Sequence, residues 1–311
     1  MRIVFFGTPD FAVPTLARLL EGPHDVVAVV SQPDRPRGRG RTVHPSPISK
    51  LALDAGVRLL RPEQVGEASV VEALRATAAD LGVVVAFGQF LTRRVRELPS
   101  RGYLVNAHAS LLPRHRGAAP IAHAILAGDS LTGISVMRVE REMDAGPVAL
   151  VRRLAIGPEE DCGHLTQRLA ALAADAIDQA LDDIAADRAT WQEQDPALAT
   201  LAPKIDKRDA ALHWSEPATA LHARIRAMAP TPGARTRLAG ETLSILEACV
   251  DASPTDREPG GVEVRSDGGL RIATGAGWLV PLRLQRAGGK RLDTAAFLRG
   301  RPIPDGARLG E

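Results

Sequence analysis

Short apolar runs alternate with stretches of helical spacing through the first half of this 311-residue chain, and that alternation restricts the fold more than any other feature. The runs fall at residues 2–6, 26–31, 81–87, 103–106 and 134–139 and are mostly rich in Val and Ile. They are apolar almost throughout rather than at every second position, which suits strands buried on both faces of a parallel sheet. Between them, residues 11–20, 48–55, 70–79 and 118–127 carry the spacing of amphipathic helices. Strands joined by helices predict right-handed crossovers and an open, mostly parallel, Rossmann-like α/β sheet. A further strand is expected at 147–156. A long helix follows at 164–185, with Leu165, Leu169, Leu172, Ile177, Leu181 and Ile184 on one face.

The texture changes after about residue 190. Residues 191–206 hold Pro196 and Pro203 with little periodicity and read as a linker crossing the surface of the first domain. One helical stretch, 217–229, precedes the turn signal Pro230-Thr231-Pro232-Gly233. Short β-like pieces then follow at 242–248, 261–264, 270–273 and 278–284, separated by Gly, Asp and Ser. Such spacing predicts a small antiparallel sandwich or barrel, OB-like in kind. The expected organisation is an α/β domain at 1–190, the linker at 191–206 and a β-rich domain at 207–311.

Two cysteines, Cys162 and Cys249, cannot build a disulfide framework, which fits a reducing, cytoplasmic compartment. The first residues lack the apolar length and cleavage site of a secretory leader, and no segment stays apolar long enough to span a bilayer. A soluble protein with no membrane partner is expected. Residues 207–311 carry 16 Lys and Arg against 12 Asp and Glu, and Arg far outnumbers Lys. A mildly basic second half is compatible with a polyanionic partner, although charge alone favours a solvated surface. The loop at 35–41 places four arginines among Gly and Pro, able to meet phosphates or simply to face water.

The turn after the first strand reads Phe6-Gly7-Thr8-Pro9-Asp10, which is not G-x-G-x-x-G and argues against a dinucleotide site. Asp10 is placed to cap the next helix. No nucleophile elbow, P-loop or metal-ligand spacing occurs, so no metal is expected. In the segment at 105–117, Asn106 and His108 stand two apart at the end of a buried strand, so their side chains emerge on one face. Ligands of open α/β sheets gather at the carboxyl ends of the strands. There a carboxamide and an imidazole offer an oxyanion donor and a proton-transfer group, or else a satisfied polar pair.

The string Asn106-Ala-His108-Ala-Ser110-Leu111-Leu112-Pro113-Arg114-His115-Arg116-Gly117-Ala-Ala-Pro120-Ile121 resembles the signature of the folate-dependent formyltransferases. The stretches FFGTPDFAVP, SQPDRPRGRGR and VVVAFGQFL also fit that family, and the similarity covers nearly the whole chain. Two departures stand out. His115 replaces the usual aromatic residue between two arginines, and the segment at 228–233 lacks the usual aromatics.

The resemblance implies a third catalytic residue, Asp144, in the loop closing on Ala145-Gly146, where Asp is also a common turn residue. A carboxylate there would fix the tautomer and orientation of the imidazole. It implies a pterin site formed largely by backbone at Phe87, Gly88, Gln89, Phe90 and Leu91 and at Ser110, Leu111, Leu112 and Pro113. It implies 10-formyltetrahydrofolate as formyl donor and, from the fit to the members acting on charged tRNA, methionyl initiator tRNA as acceptor. Arg39 and Arg41, with Lys204 and Lys207, are the tRNA-contact candidates, and a monomer is expected. A relative acting on a small amine or on water would keep the trio without needing the arginine loop. A non-catalytic RNA- or folate-binding protein would not need the trio.

Overall fold

The computed structural model describes residues 1–37, 42–266 and 268–310, and the chain divides into two compact units. The first comprises Met1–Pro120, Leu131–Ala155 and Thr166–Ala202, and the second Ile121–Ser130, Ile156–Leu165 and Pro203–Glu311. From the start the chain runs β1 (Arg2–Gly7), α1 (Val13–Glu21), β2 (Asp25–Val30), β3 (Arg35–Arg37), β4 (Thr42–His44), α2 (Pro47–Asp54) and β5 (Leu59–Leu60). It continues through α3 (Ala68–Arg75), β6 (Leu81–Val85), α4 (Arg93–Arg96), β7 (Leu104–His108), α5 (Pro120–Leu126), β8 (Leu131–Arg138), β9 (Val148–Ala155) and α6 (Cys162–Ala185).

Seven strands form one sheet in the order β5-β2-β1-β6-β7-β8-β9. The five from β5 to β7 are parallel, and β8 and β9 join antiparallel. The unbroken apolar runs are explained by burial on both faces. Val4 and Phe6 join Ala28, Val30, Val84 and Leu104 in one cluster with Val71 and Leu74 of α3 and Val95 of α4. Ile3 and Phe5, pointing the other way, are buried as completely, and α1 and α2 rest against β2. Each such side chain contributes about 1.5–3 kcal/mol.

From β1 the chain steps outward to β2 and β5, then returns to β6 on the opposite side. The carboxyl ends of β1 and β6 therefore flank the point where strand order reverses, the usual ligand crevice of such sheets. The start of α1 departs from expectation. A 3-10 turn, Asp10–Ala12, comes first, so Ala12 occupies the cap position with no side-chain capping bond and Asp10 does not cap the helix.

In the second unit α7 (Ala218–Met228) precedes β10 (Ala234–Leu238), β11 (Glu241–Asp251), β12 (Val262–Val264), β13 (Leu270–Ala273), β14 (Trp278–Arg286), β15 (Arg291–Asp293) and α8 (Thr294–Gly300). The antiparallel order is β10-β11-β14-β13-β12, with β15 beside β14. Both outer edges meet the same late segment. Leu238 at the end of β10 bridges Leu309, and Gly261 beside β12 bridges Arg308. The sheet thereby closes on itself as a barrel, and α7 packs on β10, β11 and β14. Among the described residues, no helix is long and apolar enough to cross a membrane.

His222 of α7 is buried, with Nε2 2.9 Å from Glu159 Oε2. Burial holds the imidazole below its ordinary value; the Glu159 carboxylate opposes this, and the Arg226 guanidinium adds to it. Burial outweighs the ion-pair geometry, so Nε2–H of a neutral ring donates to Glu159. A folded-state value below the unfolded one means that protons favour the unfolded chain. Stability is therefore full above about pH 6.5 and falls as acid protonates the ring. The thermal midpoint should drop on acidification to about pH 5 and should drop less in His222→Gln, as followed by circular dichroism.

Candidate active site

Asn106 and His108 occupy the carboxyl end of β7, between β6 and β8. Asn106 lies opposite Val84 and Met137, and His108 opposite Ser135. Alternation sends both side chains to one face, as the sequence implies. Asn106 is half-buried, and among the described residues nothing hydrogen-bonds its carboxamide. His108 is 6% exposed, and its Nε2 lies 2.8 Å from the carbonyl of His115. A carbonyl only accepts, so Nε2 carries hydrogen and Nδ1 is the nitrogen left for other partners. His115 adopts φ +58°, which turns this carbonyl toward the ring, and its N–H donates to Thr200 Oγ1 at 2.9 Å.

Nδ1 faces the third member of the trio. Asp144 Oδ2 lies 3.5 Å from His108 Nδ1 and accepts the Gly117 N–H at 2.9 Å. That separation is longer than a full hydrogen bond, and catalytic contacts of this kind commonly tighten when substrate arrives. With the ring protonated, Nδ1–H points at the carboxylate; with it neutral, a lone pair does. Gly117 has φ +127°, and a Cβ there would stand 2.6 Å from the Ala202 carbonyl, so the position is closed to other residues. Glu140 and Glu142 are exposed, with Glu142 3.9 Å from Arg116.

The loop after β6 lines the crevice beside β1. The Phe87 carbonyl accepts from Thr8 Oγ1 at 2.9 Å and from Gln32 Nε2 at 3.0 Å, so it ties the ends of β1, β2 and β6 together. Gly88 has φ +82°, and a Cβ would meet Gln32 Nε2 at 2.5 Å. The Phe87 and Leu91 side chains belong to the core. Gln89 is engaged with the backbone of Val65 and Pro62. Phe90 is 68% exposed and lines a groove of about 470 Å³ with Glu63, Gln64, Val65, Gly66, Glu67, Gln89 and Thr92. In the turn at 110–113, Ser110 Oγ donates to the Arg114 carbonyl at 2.6 Å. Ser135 Oγ donates to the Ser110 carbonyl at 2.8 Å and accepts the Leu112 N–H at 3.1 Å. Leu111 and Pro113 are half-buried beside them.

Arg39 and Arg41 lie outside the described residues. Lys204 and Lys207 are exposed in the second unit, Lys204 beside a small pocket with His123, Asp209 and Arg224. Among the described residues, no cluster of three His, Cys, Asp or Glu could hold a metal ion. Sequence reasoning overlooked the supports of the trio: the His115 carbonyl, the Gly117 N–H, Gln194 and Thr200. The first two are backbone groups with no residue signature, and the others fall in a stretch without periodicity.

The chain belongs to the formyl transferase family. It matches that family over residues 1–181 and the formyl transferase C-terminal domain over residues 204–302. Among its relatives, a methionyl-tRNA formyltransferase of Moorella thermoacetica is 42% identical over 100% of this chain and 99% of its own length. Another, from Ruegeria pomeroyi, is 44% identical over 99% of this chain and 100% of its own. A solved sugar 3N-formyl transferase, WlaRD, studied in the presence of dTDP and 5-N-formyl-THF, shares the fold with a TM-score of 0.68 at 15% identity. That match covers 93% of this chain and 99% of the other.

Proposed function

We propose that this protein transfers the formyl group of 10-formyltetrahydrofolate to the α-amino group of methionyl initiator tRNA. The observation that carries the chemistry is the end of β7, where an unpartnered carboxamide stands two residues from an imidazole backed by a carboxylate. The acceptor is supported by the full-length relatives that bear the name methionyl-tRNA formyltransferase.

In this reading the neutral amine attacks the formyl carbon, a C–N bond forms, and the carbonyl electrons move to oxygen. The Asn106 amide N–H stabilises that oxyanion, and the Nδ1–H of protonated His108 is shared between that oxygen and Asp144. Asp144 orients the ring and takes the ammonium proton, directly or through water. Collapse restores the carbonyl and expels the folate nitrogen, which accepts a proton from the His108–Asp144 pair. The loops at 87–91 and 110–113 would hold the pterin largely through backbone groups. Incubation with formyl donor and charged initiator tRNA should yield formylmethionyl-tRNA. Product only with a small amine, or no product despite binding, would overturn the assignment.

Arg39 and Arg41 are assigned to the phosphates of the acceptor end, with Lys204 and Lys207 in support. In the second unit Arg237, Lys290, Arg291 and Arg299 are exposed without an ion-pair partner among the described residues, which favours a polyanion-binding surface. Replacing Arg39 and Arg41 together by alanine should weaken tRNA binding and lower the slope of log K against log salt by about 1–2. The measurement is a filter-binding titration at several salt concentrations, and an unchanged slope would remove the loop from the interface.

A further inference from the structure

The segment at 191–202 carries more than connection. Its Gln192 pairs with Val148 through both backbone bonds, at 2.8 and 2.9 Å. Trp191 stacks on the Arg138 guanidinium, 4.2 Å from its ring centroid, and packs edge-on against Tyr103. The segment is thus anchored just before Gln194. The Gln194 amide then uses its full hydrogen-bonding capacity. Oε1 accepts from Arg116 Nε at 3.1 Å and Nη2 at 2.8 Å, and Nε2 donates to the carbonyls of Asp144 at 2.8 Å and Gly146 at 2.7 Å.

We propose that Gln194 is a positioning residue that acts through Asp144. Asp144 has φ +52°, a conformation that a non-glycine residue keeps only when its surroundings enforce it. Gly146 runs so close to the Arg138 carbonyl that a Cβ there would lie 2.1 Å from it, so the loop leaves no room for another residue at this position. Gln194 grips the carbonyls of Asp144 and Gly146, which leave that bend. The bend in turn sends Oδ2 to the Gly117 N–H and toward His108 Nδ1. Arg116 is buried, and its charge polarises the amide it donates to, which strengthens the two N–H donors on the Asp144 side.

This inference rests on the reading of Asp144 as part of the catalytic trio, and the test keeps the two apart. Gln194→Met preserves length and removes all four bonds. It should lower kcat by about tenfold to a hundredfold while KM for the formyl donor and for charged tRNA each change less than about twofold. Gln194→Glu keeps the acceptor for Arg116 and loses both donors, so it should behave alike and serves if the Met variant does not fold. The decisive measurement is a cycle with Asp144→Asn: on that background, either Gln194 change should cost no further turnover. Additive losses, or a rise confined to KM, would overturn the role of Gln194. Wild-type turnover in Asp144→Asn alone would overturn the trio reading instead.

Discussion

Alanine at Asn106 or at His108 is expected to lower kcat by about two to three orders of magnitude, equivalent to about 3–4 kcal/mol of transition-state stabilisation. The two substitutions should differ in their side effects. Asn106 is half-buried and its carboxamide has no partner among the described residues, so its loss strands none of their groups and stability should hold. His108 is buried and donates to the His115 carbonyl, so its removal also strands an acceptor, at about 1–3 kcal/mol. Single-turnover formylation, with unfolding midpoints recorded alongside, separates the two effects. Turnover within a few-fold of wild type in a folded Asn106→Ala protein would remove the carboxamide from the mechanism.

The second large effect falls on stability. Phe87 is 2% exposed and meets Phe6 edge-on at 5.6 Å, inside the cluster that joins β1, β6, α3 and α4. Phe87→Ala should cost about 3–5 kcal/mol, the range for emptying a buried aromatic site, and Phe87→Leu much less. Phe90, three residues on, is largely exposed, so Phe90→Ala should leave the unfolding free energy within about 0.5 kcal/mol. If the loop holds the pterin, Phe90→Ala should instead raise KM for the formyl donor. Denaturant titration of the three variants tests the division between a side chain that packs and a loop that binds. A Phe87→Ala protein as stable as wild type would refute the packing argument.

The sheet was legible because burial on both faces leaves an unbroken apolar run, and strand-end residues such as Asn106 and His108 inherit their direction from the pleat. Asp144 was reachable only through a resemblance, since its backbone bend and its hold on Gly117 depend on contacts distant in sequence. Gln194 had no local signal: its four bonds run to three residues in two other segments, and an aperiodic stretch gives no reason to single it out. In the second unit β10 carries Arg235 and Arg237 among apolar residues, and β15 is exposed throughout, so neither shows the pattern of a core strand. Asp10 misled because a 3-10 turn moved the start of α1 by two residues.

The closure of the barrel by Arg308 and Leu309 has a consequence for synthesis. Translation delivers these two residues after every strand they fasten, so β10 and β12 must leave the ribosome with open edges. Unpaired edges are templates for pairing with other chains, and here they persist until Arg308 and Leu309 emerge. The sheet of the first unit has no such wait, because all seven of its strands lie before residue 156. On a polysome the nascent barrel is therefore the portion most in need of chaperone shielding. Ribosome stalling a few codons short of Leu309 would leave it able to pair with its neighbours.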